Sequence, residues 1–187
     1  MTGVLAIQGD FDKHVEALEK TGLASDKIEL VRTLDSLKNV DRLIIPGGES
    51  TTVGMLLDRY GLGTEINNRA KCGMPIWGTC MGMILMAKKV VGSAQYSIDV
   101  IDITVRRNAF GRQIHSFTDI VQVEGISADV TGAFIRAPII TELGKDVEKF
   151  AEYKGKIVGA RKGKIITTSF HPELTDDLRL HQLFLSL

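Results

Sequence analysis

Short apolar segments alternate with amphipathic segments along most of the chain. The apolar runs are typical of buried strands and occupy residues 4–7, 28–31, 43–45 and the positions before Cys80. Apolar side chains at helical spacing between these runs predict helices at 11–20, about 52–60 and about 63–71. Ser50 or Thr51 is expected to cap the second helix. Strands this uniformly apolar are covered on both faces, so the pattern predicts a parallel sheet between helical layers.

The middle of the chain has a different pattern, in which short segments alternate between apolar and polar residues. Residues 92–140 are therefore predicted to form a mostly β insertion or antiparallel extension, with strands at 98–105, 117–123 and 133–136. Further strands are predicted at 147–153, 156–161 and 164–170, followed by an amphipathic helix at 176–185. The prediction for residues 1–187 is thus a single α/β domain of three layers, α/β/α, with a mostly parallel sheet.

Composition narrows the possible functions. Of the 187 residues, 44% are hydrophobic and 25% charged, and the formal net charge is zero, so we expect no nucleic-acid partner. No apolar run approaches the roughly 18–20 residues that cross a bilayer, and residues 1–10 resemble a strand more than a signal peptide, so we expect no membrane partner. Two cysteines provide no disulfide framework, which favours a cytoplasmic location. No Cys/His cluster has metal-ligand spacing, so we expect neither metal nor cofactor.

One stretch has the pattern of a strand, a sharp turn and a helix. An apolar run ends at Gly78-Thr79, Cys80 follows, and Met81-Gly82 opens a second apolar run. This is typical of a nucleophile elbow, where the apex side chain is exposed beside the backbone N–H groups of the next helix. A thiol there also lies at a helix N-terminus, which favours the thiolate. A small buried cysteine in an ordinary turn fits the stretch equally well.

Four predicted strands end in polar or glycine-rich turns, namely Gln8-Gly9, Gly47-Gly48-Glu49-Ser50, Thr79-Cys80 and His171-Pro172-Glu173. Ligands of open α/β sheets collect at this edge. A thiol, an imidazole and a carboxylate there supply a nucleophile, its base and the group that orients the base. Glu173 lies two residues after His171, so in an extended segment both side chains project to the same side. Each residue alone is more often structural, but together they favour a Cys–His hydrolase.

The other imidazoles are His14, His115 and His181. His14 and His181 fall within predicted helices and are expected to be structural or exposed.

Several motifs resemble a known family. GTCMG at 78–82, PGGEST at 46–51 and SFHPE at 169–173 resemble the class I, or triad, glutamine amidotransferases. AIQGDFDKH at 6–14, RNAFGRQIHSF at 107–117 and FIRAP at 134–138 resemble, more narrowly, the glutaminase subunit of pyridoxal 5′-phosphate synthase. The resemblance covers about residues 3–185. It implies a flavodoxin-like three-layer fold with a β-rich insertion.

The resemblance also implies an activity, the hydrolysis of L-glutamine to glutamate with ammonia delivered to a synthase partner subunit. Cys80 would be the nucleophile, His171 the general acid and base, and Glu173 its orienting carboxylate. The glutamine pocket would map to Gly48, Glu49, Ser50, Arg107, Ile135 and Arg136. Glu49 and the arginines are plausible selectors of the zwitterionic head of glutamine.

The oxyanion hole would lie between two turns. Gln8 and Gly9 map to a mobile turn of the family near the oxyanion hole and the synthase interface. The N–H of Met81 and an N–H from Gly47–Gly48 are the expected donors. The chain departs from the resemblance at Met81, where this subunit usually carries a small Ala, and the bulkier side chain could alter the pocket or the ammonia exit.

Two other interpretations stay open on the sequence alone. One keeps the triad and changes the ammonia acceptor, as in the glutaminase subunit of imidazole glycerol phosphate synthase. The other is a non-catalytic binding module on a flavodoxin-like scaffold.

Overall fold

The computed structural model describes residues 1–110 and 116–187. Within them the strands are β1 (Thr2–Leu5), β2 (Ile28–Val31), β3 (Arg42–Ile45), β4 (Ile76–Thr79), β5 (Ala87–Val90), β6 (Ile101–Arg106), β7 (Phe117–Val123), β8 (Val130–Phe134), β9 (Ile139–Leu143), β10 (Glu148–Tyr153), β11 (Lys156–Lys162) and β12 (Ile165–Thr168). The helices are α1 (Phe11–Lys20), α2 (Leu34–Lys38), α3 (Ser50–Arg59), α4 (Leu62–Lys71), α5 (Met81–Met86) and α6 (Arg179–Leu185). Single 3₁₀ turns cover Ser25–Lys27 and Pro172–Leu174.

Five strands pair in parallel, in the order β2-β1-β3-β4-β12. This is the strand order of flavodoxin-like folds, so the predicted fold class is confirmed. In such sheets ligands bind beyond the carboxyl ends of the strands, where the strand order reverses. That point lies between β1 and β3, and the segments that follow these strands are residues 6–10 and 46–49.

The parallel strands bury both faces because their side chains alternate between two core clusters. Ile45 of β3 belongs to a cluster that includes Val53 of α3, whereas its neighbour Ile44 belongs to the opposite one, with Leu18 of α1 and Phe184 of α6. Helices α2–α5 therefore cover one face of the parallel sheet, and α1 and α6 cover the other. This is the three-layer arrangement that the apolar strands predicted.

The predicted β-rich insertion is also confirmed. Strand β11 pairs antiparallel with β12 and continues the sheet through β10, β7 and β8, while β9 joins β11 to β6. The described part of residues 92–140 contains strands and turns without a helix.

Several predicted boundaries were wrong. Strand β1 starts and ends two residues before the predicted segment, and β12 ends at Thr168, short of the predicted 170, because its parallel partner β4 ends at Thr79. The last helix begins at Arg179 and not at 176, because Asp177 accepts a hydrogen bond from the Arg179 N–H and fixes a turn before it.

Three short elements were not predicted. Helix α2 is a single turn held by a capping box between Thr33 and Ser36, too short to show helical periodicity. Strand β5 follows α5 without a loop, so no turn residue marks its start in the sequence. Strand β9 lies across the predicted end of the insertion at residue 140.

Candidate active site

Cys80 lies at a strained turn between β4 and α5, with φ 48° and ψ −99°. Its N–H donates to Thr168 O at 2.8 Å, which fastens the turn to the neighbouring strand β12. Glycine is needed on both sides, because a Cβ at Gly82 would overlap Ile45 O and a Cβ at Gly78 would lie 2.6 Å from the Gly82 carbonyl carbon. The two glycines let α5 pack directly onto β3 and β4. The geometry is that of a nucleophile elbow, one of the two interpretations of this stretch that the sequence left open.

His171 is held by the insertion. It lies three residues beyond the end of β12, where its N–H donates to Ala133 O at 2.8 Å and its carbonyl accepts from the Ala133 N–H at 3.3 Å. This bridge to β8 places the imidazole next to the elbow. The antiparallel extension therefore positions one of the three predicted catalytic side chains.

Glu173 contacts His171 through a different local geometry from the predicted one. The expectation of an extended segment was wrong, because Pro172 begins a 3₁₀ turn that includes Glu173. The turn brings Glu173 Oε1 to 2.7 Å from His171 Nδ1, and both side chains are buried. Since a carboxylate only accepts, Nδ1 carries the proton and Nε2 faces the thiol side.

The charges of this pair follow from burial and mutual attraction. Burial alone would lower the pKa of His171, but the interactions with Cys80 and Glu173 outweigh it and raise that pKa to about 10. Burial would raise the pKa of Glu173, yet His14 and His171 more than offset it and hold the pKa below its usual value. At neutral pH Glu173 is therefore a carboxylate, and His171 binds a proton strongly enough to take it from the Cys80 thiol.

The thiol of Cys80 is not hydrogen-bonded to His171 in this structure. Its Sγ donates to Ile135 O at 3.8 Å, and His171 Nε2 has no partner with hydrogen-bond geometry among residues 1–110 and 116–187. Cys80 is thus close enough to raise the pKa of His171, but its S–H is directed at the loop after β8. Before its proton can move to His171, the thiol must turn from the Ile135 carbonyl toward the imidazole.

A cleft of about 430 Å³ opens in front of Cys80 and His171. It is lined by all six residues of the predicted glutamine pocket, Gly48, Glu49, Ser50, Arg107, Ile135 and Arg136. Asp10, Ile84 and Asn108 also line it and were not predicted. Cys80, Asn108 and Arg136 have φ values near 50°, and such strained conformations concentrate at functional sites.

Hydrogen bonds join the two turns that were predicted around the oxyanion hole, Gln8–Gly9 and Gly47–Gly48. The Asp10 N–H donates to Gly47 O at 3.2 Å, and Gln8 Oε1 accepts from the Glu49 N–H at 3.0 Å. At Gly9, φ is 108° and a Cβ would overlap Gly47 O, so only glycine allows this approach.

Gly47 contacts His171, and Met81 packs against the Gly47–Gly48 turn. A Cβ at Gly47 would overlap the imidazole of His171, so the ring lies directly on this glycine. Met81 is buried, and its Sδ would lie 3.2 Å from a Cβ at Gly48. The bulky side chain therefore packs against the Gly47–Gly48 turn, while its N–H, the first of α5, lacks a partner within the helix.

The chain matches the SNO glutamine amidotransferase family over residues 4–187. The chain belongs to this family. It is 46% identical over 185 residues to the pyridoxal 5′-phosphate synthase subunit PdxT of Geobacillus sp. (strain WCH70), covering 99% of this chain and 95% of the relative. It is 50% identical over 190 residues to PdxT of Herpetosiphon aurantiacus, covering 99% of this chain and 98% of the relative.

Solved structures agree with the family. A crystal structure of a glutamine amidotransferase superposes with a TM-score of 0.93 at 45% identity, covering 99% of this chain and 97% of that chain. The structure of PurLQS from Thermotoga maritima reaches a TM-score of 0.68 at 18% identity, covering 99% and 96%, and shows the shared fold alone.

In this member of the family, a glutamine that the sequence did not single out joins two predicted pocket residues. Gln95 Oε1 accepts hydrogen bonds from Ser50 Oγ and from an Arg107 guanidinium N–H, both at 3.1 Å. Gln95 lies in the irregular segment between β5 and β6, where no periodicity marks it. Its contact with Ser50 spans 45 residues and exists only in the folded chain.

The other two described imidazoles, His14 and His181, were expected to be structural or exposed. The structure excludes exposure, because both are fully buried, and His14 lies beside Glu173. His115 and residues 111–114 of the RNAFGRQIHSF motif lie outside the described residues.

Within the part of the chain that the structure describes, no helix has the length and apolarity to cross a membrane. In that same part, His, Cys, Asp and Glu side chains form no group of three that could hold a metal ion.

Glu49, and not Ser50 or Thr51, is the N-cap of α3. Its carboxylate accepts from the N–H groups of Thr51 (2.9 Å) and Thr52 (2.7 Å), and hydrogen bonds from these two residues lower its pKa to about 2. A carboxylate at this position also complements the helix dipole. The side chain lines the cleft as an anion, but both of its oxygens already accept hydrogen bonds from N–H groups of the helix.

We expect Glu49→Ala to lower the free energy of unfolding by about 1 kcal/mol at pH 7, because the cap is lost. Since the folded-state pKa is depressed, this contribution is present above the unfolded value of about 4.5 and is lost as the pH falls toward about 2. Urea unfolding between pH 7 and pH 2 measures the difference. Glu49→Asp, which keeps a good N-cap, is the matched control, and an equal loss in both variants at pH 7 would contradict the assignment.

Proposed function

We propose that this chain is a glutaminase subunit that hydrolyses L-glutamine to L-glutamate and ammonia, and that it passes the ammonia to the synthase subunit of pyridoxal 5′-phosphate synthase. The observation that carries the proposal is the meeting of Cys80, His171 and Glu173 at one cleft in a chain of the SNO glutamine amidotransferase family. The names of the relatives, each a subunit of pyridoxal 5′-phosphate synthase, support the same assignment.

The first half of the reaction uses the charges of the site. With the pKa of His171 raised to about 10, the proton of Cys80 moves to the imidazole and leaves a thiolate. The thiolate attacks the side-chain amide carbon of glutamine, and the C=O electron pair moves to the oxygen. His171 Nε2–H then protonates the amide nitrogen, and the C–N bond breaks. Ammonia departs, and the acyl group remains on Cys80 as a thioester.

The second half reverses these roles. Neutral His171 takes a proton from water as the water attacks the thioester carbon, and collapse of the tetrahedral intermediate releases glutamate and the thiolate. Both tetrahedral intermediates carry an oxyanion. The N–H of Met81 and an N–H of the Gly47–Gly48 turn are the proposed donors, since both lie beside the elbow.

The cleft recognises the zwitterionic end of glutamine through charge. Arg107 and Arg136 line the cleft and are the proposed partners of the α-carboxylate, and Glu49 supplies an anion for the α-ammonium. Gln95 holds Ser50 and Arg107 in place through its Oε1. Ile135 contributes its carbonyl, which faces the thiol.

We further propose that residues 1–187 act as one amidotransferase domain, in the cytoplasm, without metal or cofactor. The turn of Gln8 and Gly9 is the proposed contact with the synthase, since it borders the oxyanion donors. Two free cysteines, Cys72 and Cys80, are consistent with a reducing compartment.

The test is reconstitution with a purified pyridoxal 5′-phosphate synthase subunit. We expect pyridoxal 5′-phosphate to form from glutamine only when this chain is present, and from added ammonium salt whether or not it is present. Formation from ammonium alone, with no response to glutamine, would reject the proposal.

The same assay separates the alternatives. A glutaminase for another acceptor, such as imidazole glycerol phosphate synthase, would release ammonia from glutamine but not supply this synthase. A non-catalytic module would release none with either partner.

A further inference from the structure

Two buried imidazoles extend the catalytic pair on the side away from the cleft. His14 of α1 has its Nε2 at 3.3 Å from Glu173 Oε1 and its Nδ1 at 3.1 Å from Nε2 of His181 of α6. Neither histidine has any exposed surface. The mechanism proposed above uses neither of them, although His14 contacts the same carboxylate oxygen as His171.

The positions of the protons follow from what each atom can accept. Ionised Glu173 has no proton to donate, so His14 Nε2 carries hydrogen and donates to Oε1. Thr79 Oγ1, at 3.1 Å from the same nitrogen, is a second acceptor for that hydrogen. Thr79 directly precedes Cys80, so His14 ties helix α1 to both the carboxylate and the elbow.

The position of the proton between the two histidines follows from the missing hydrogen-bond partner of His181 Nδ1. His181 Nδ1 is buried without a hydrogen-bond partner within the described residues, and burial lowers the pKa of His181 to about 3. His181 is therefore neutral. An unpaired lone pair at Nδ1 costs less than a buried N–H without an acceptor, so its hydrogen lies on Nε2 and is donated to His14 Nδ1.

Building on the proposed glutaminase function, we infer that His14 is a positioning residue that orients Glu173, and that His181 fixes the tautomer in which His14 does so. The result is a directed chain in which His181 donates to His14 and His14 donates to Glu173. Glu173 Oε1 then holds His171 from a fixed position. The other carboxylate oxygen, Oε2, is buried without a hydrogen-bond partner among the described residues, so the carboxylate depends on its two imidazole donors.

The inference is tested by removing the hydrogen-bond donor of His14 and measuring glutamine hydrolysis by the chain reconstituted with the synthase subunit. We expect His14→Leu to lower kcat for glutamine hydrolysis by about 10- to 100-fold, the effect of one lost hydrogen bond to a charged group, with little change in KM. KM is spared because His14 lies behind Glu173 and outside the cleft. His14→Gln, whose amide N–H can reach the carboxylate, is expected to recover most of the loss.

The pH profile separates positioning from a purely structural role. His14 helps to keep the pKa of Glu173 low, so its loss raises that pKa and moves the acidic limb of kcat/KM to higher pH. The groups that share this environment are Cys80, His171 and His181. Phe184→Leu is the matched control, because Phe184 is buried against Trp77 in the same region without touching the carboxylate. It is expected to lower stability and leave the pH profile unchanged.

A measurement on the unmodified chain decides the proton positions without any variant. Nitrogen-15 NMR of histidine-labelled protein is expected to show His14 and His181 both protonated on Nε2 at pH 7. His14 found without hydrogen on Nε2 would overturn the inference.

The kinetic outcomes are equally decisive. A folded His14→Leu with wild-type kcat and pH profile would overturn the inference and leave the glutaminase function standing. A wild-type pair that releases no ammonia from glutamine would overturn the proposed function, and this role of His14 with it.

Discussion

Replacement of Cys80 by alanine is expected to lower glutamine hydrolysis by at least about 10⁴-fold, because no other group can form the thioester. The fold should survive, since alanine keeps the Cβ that the turn already accommodates at φ 48°. The Cys80 side chain is only partly buried, and its hydrogen bond to Ile135 O is long at 3.8 Å. Ammonia release by the reconstituted pair measures the activity, and thermal unfolding measures the fold.

The second free cysteine provides the control. Cys72 is exposed at the end of α4, on the opposite edge of the sheet from the cleft, and Cys72→Ala is expected to keep full activity. A glutamine-analogue electrophile should label the wild-type chain and Cys72→Ala but not Cys80→Ala. Retained hydrolysis in Cys80→Ala, or labelling that requires Cys72, would contradict the assignment of the nucleophile.

The elbow could be predicted from sequence because its causes are local. Near the end of an apolar strand, a glycine, the cysteine and a second glycine stand within five consecutive residues. A Cβ at Gly82 would overlap Ile45 O, which explains why the second glycine is required. His171 and Glu173 were likewise found from the end of one strand. Their side chains meet as expected, although the turn between them is 3₁₀ and not extended.

Contacts between distant elements could not be predicted in this way. His14 and His181 are 167 residues apart, and only the packing of α1 and α6 on the same face of the sheet brings them together beside Glu173. Gln95 has no local pattern, and its role depends on Ser50 and Arg107 from two other segments. Polar residues inside predicted helices were interpreted as structural or exposed, because helical spacing alone does not reveal what the buried face contacts.

Replacement of Gly9 by alanine is expected to lower glutamine hydrolysis by about 100-fold or more. A Cβ at this position overlaps Gly47 O, an atom of a backbone turn that cannot rotate away like a side chain. Relief of the overlap must move the Gly47–Gly48 turn, which contacts the His171 imidazole and is expected to carry an oxyanion donor. A displacement of about 1 Å in a catalytic group lowers the reaction rate by about this factor.

Gly22→Ala is the control that distinguishes the effect of the close approach between Gly9 and Gly47 from the effect of backbone strain. Gly22 has φ 95°, similar to the 108° of Gly9, but a Cβ there would meet no atom within 4 Å. Both variants incur a conformational cost of about 1–2 kcal/mol in the free energy of unfolding, measured by urea denaturation. Only Gly9→Ala should also lose activity at a temperature where both remain folded. Equal activity in the two variants would mean that the Gly47–Gly48 turn tolerates displacement, and the oxyanion donors would then have to be sought elsewhere around Cys80.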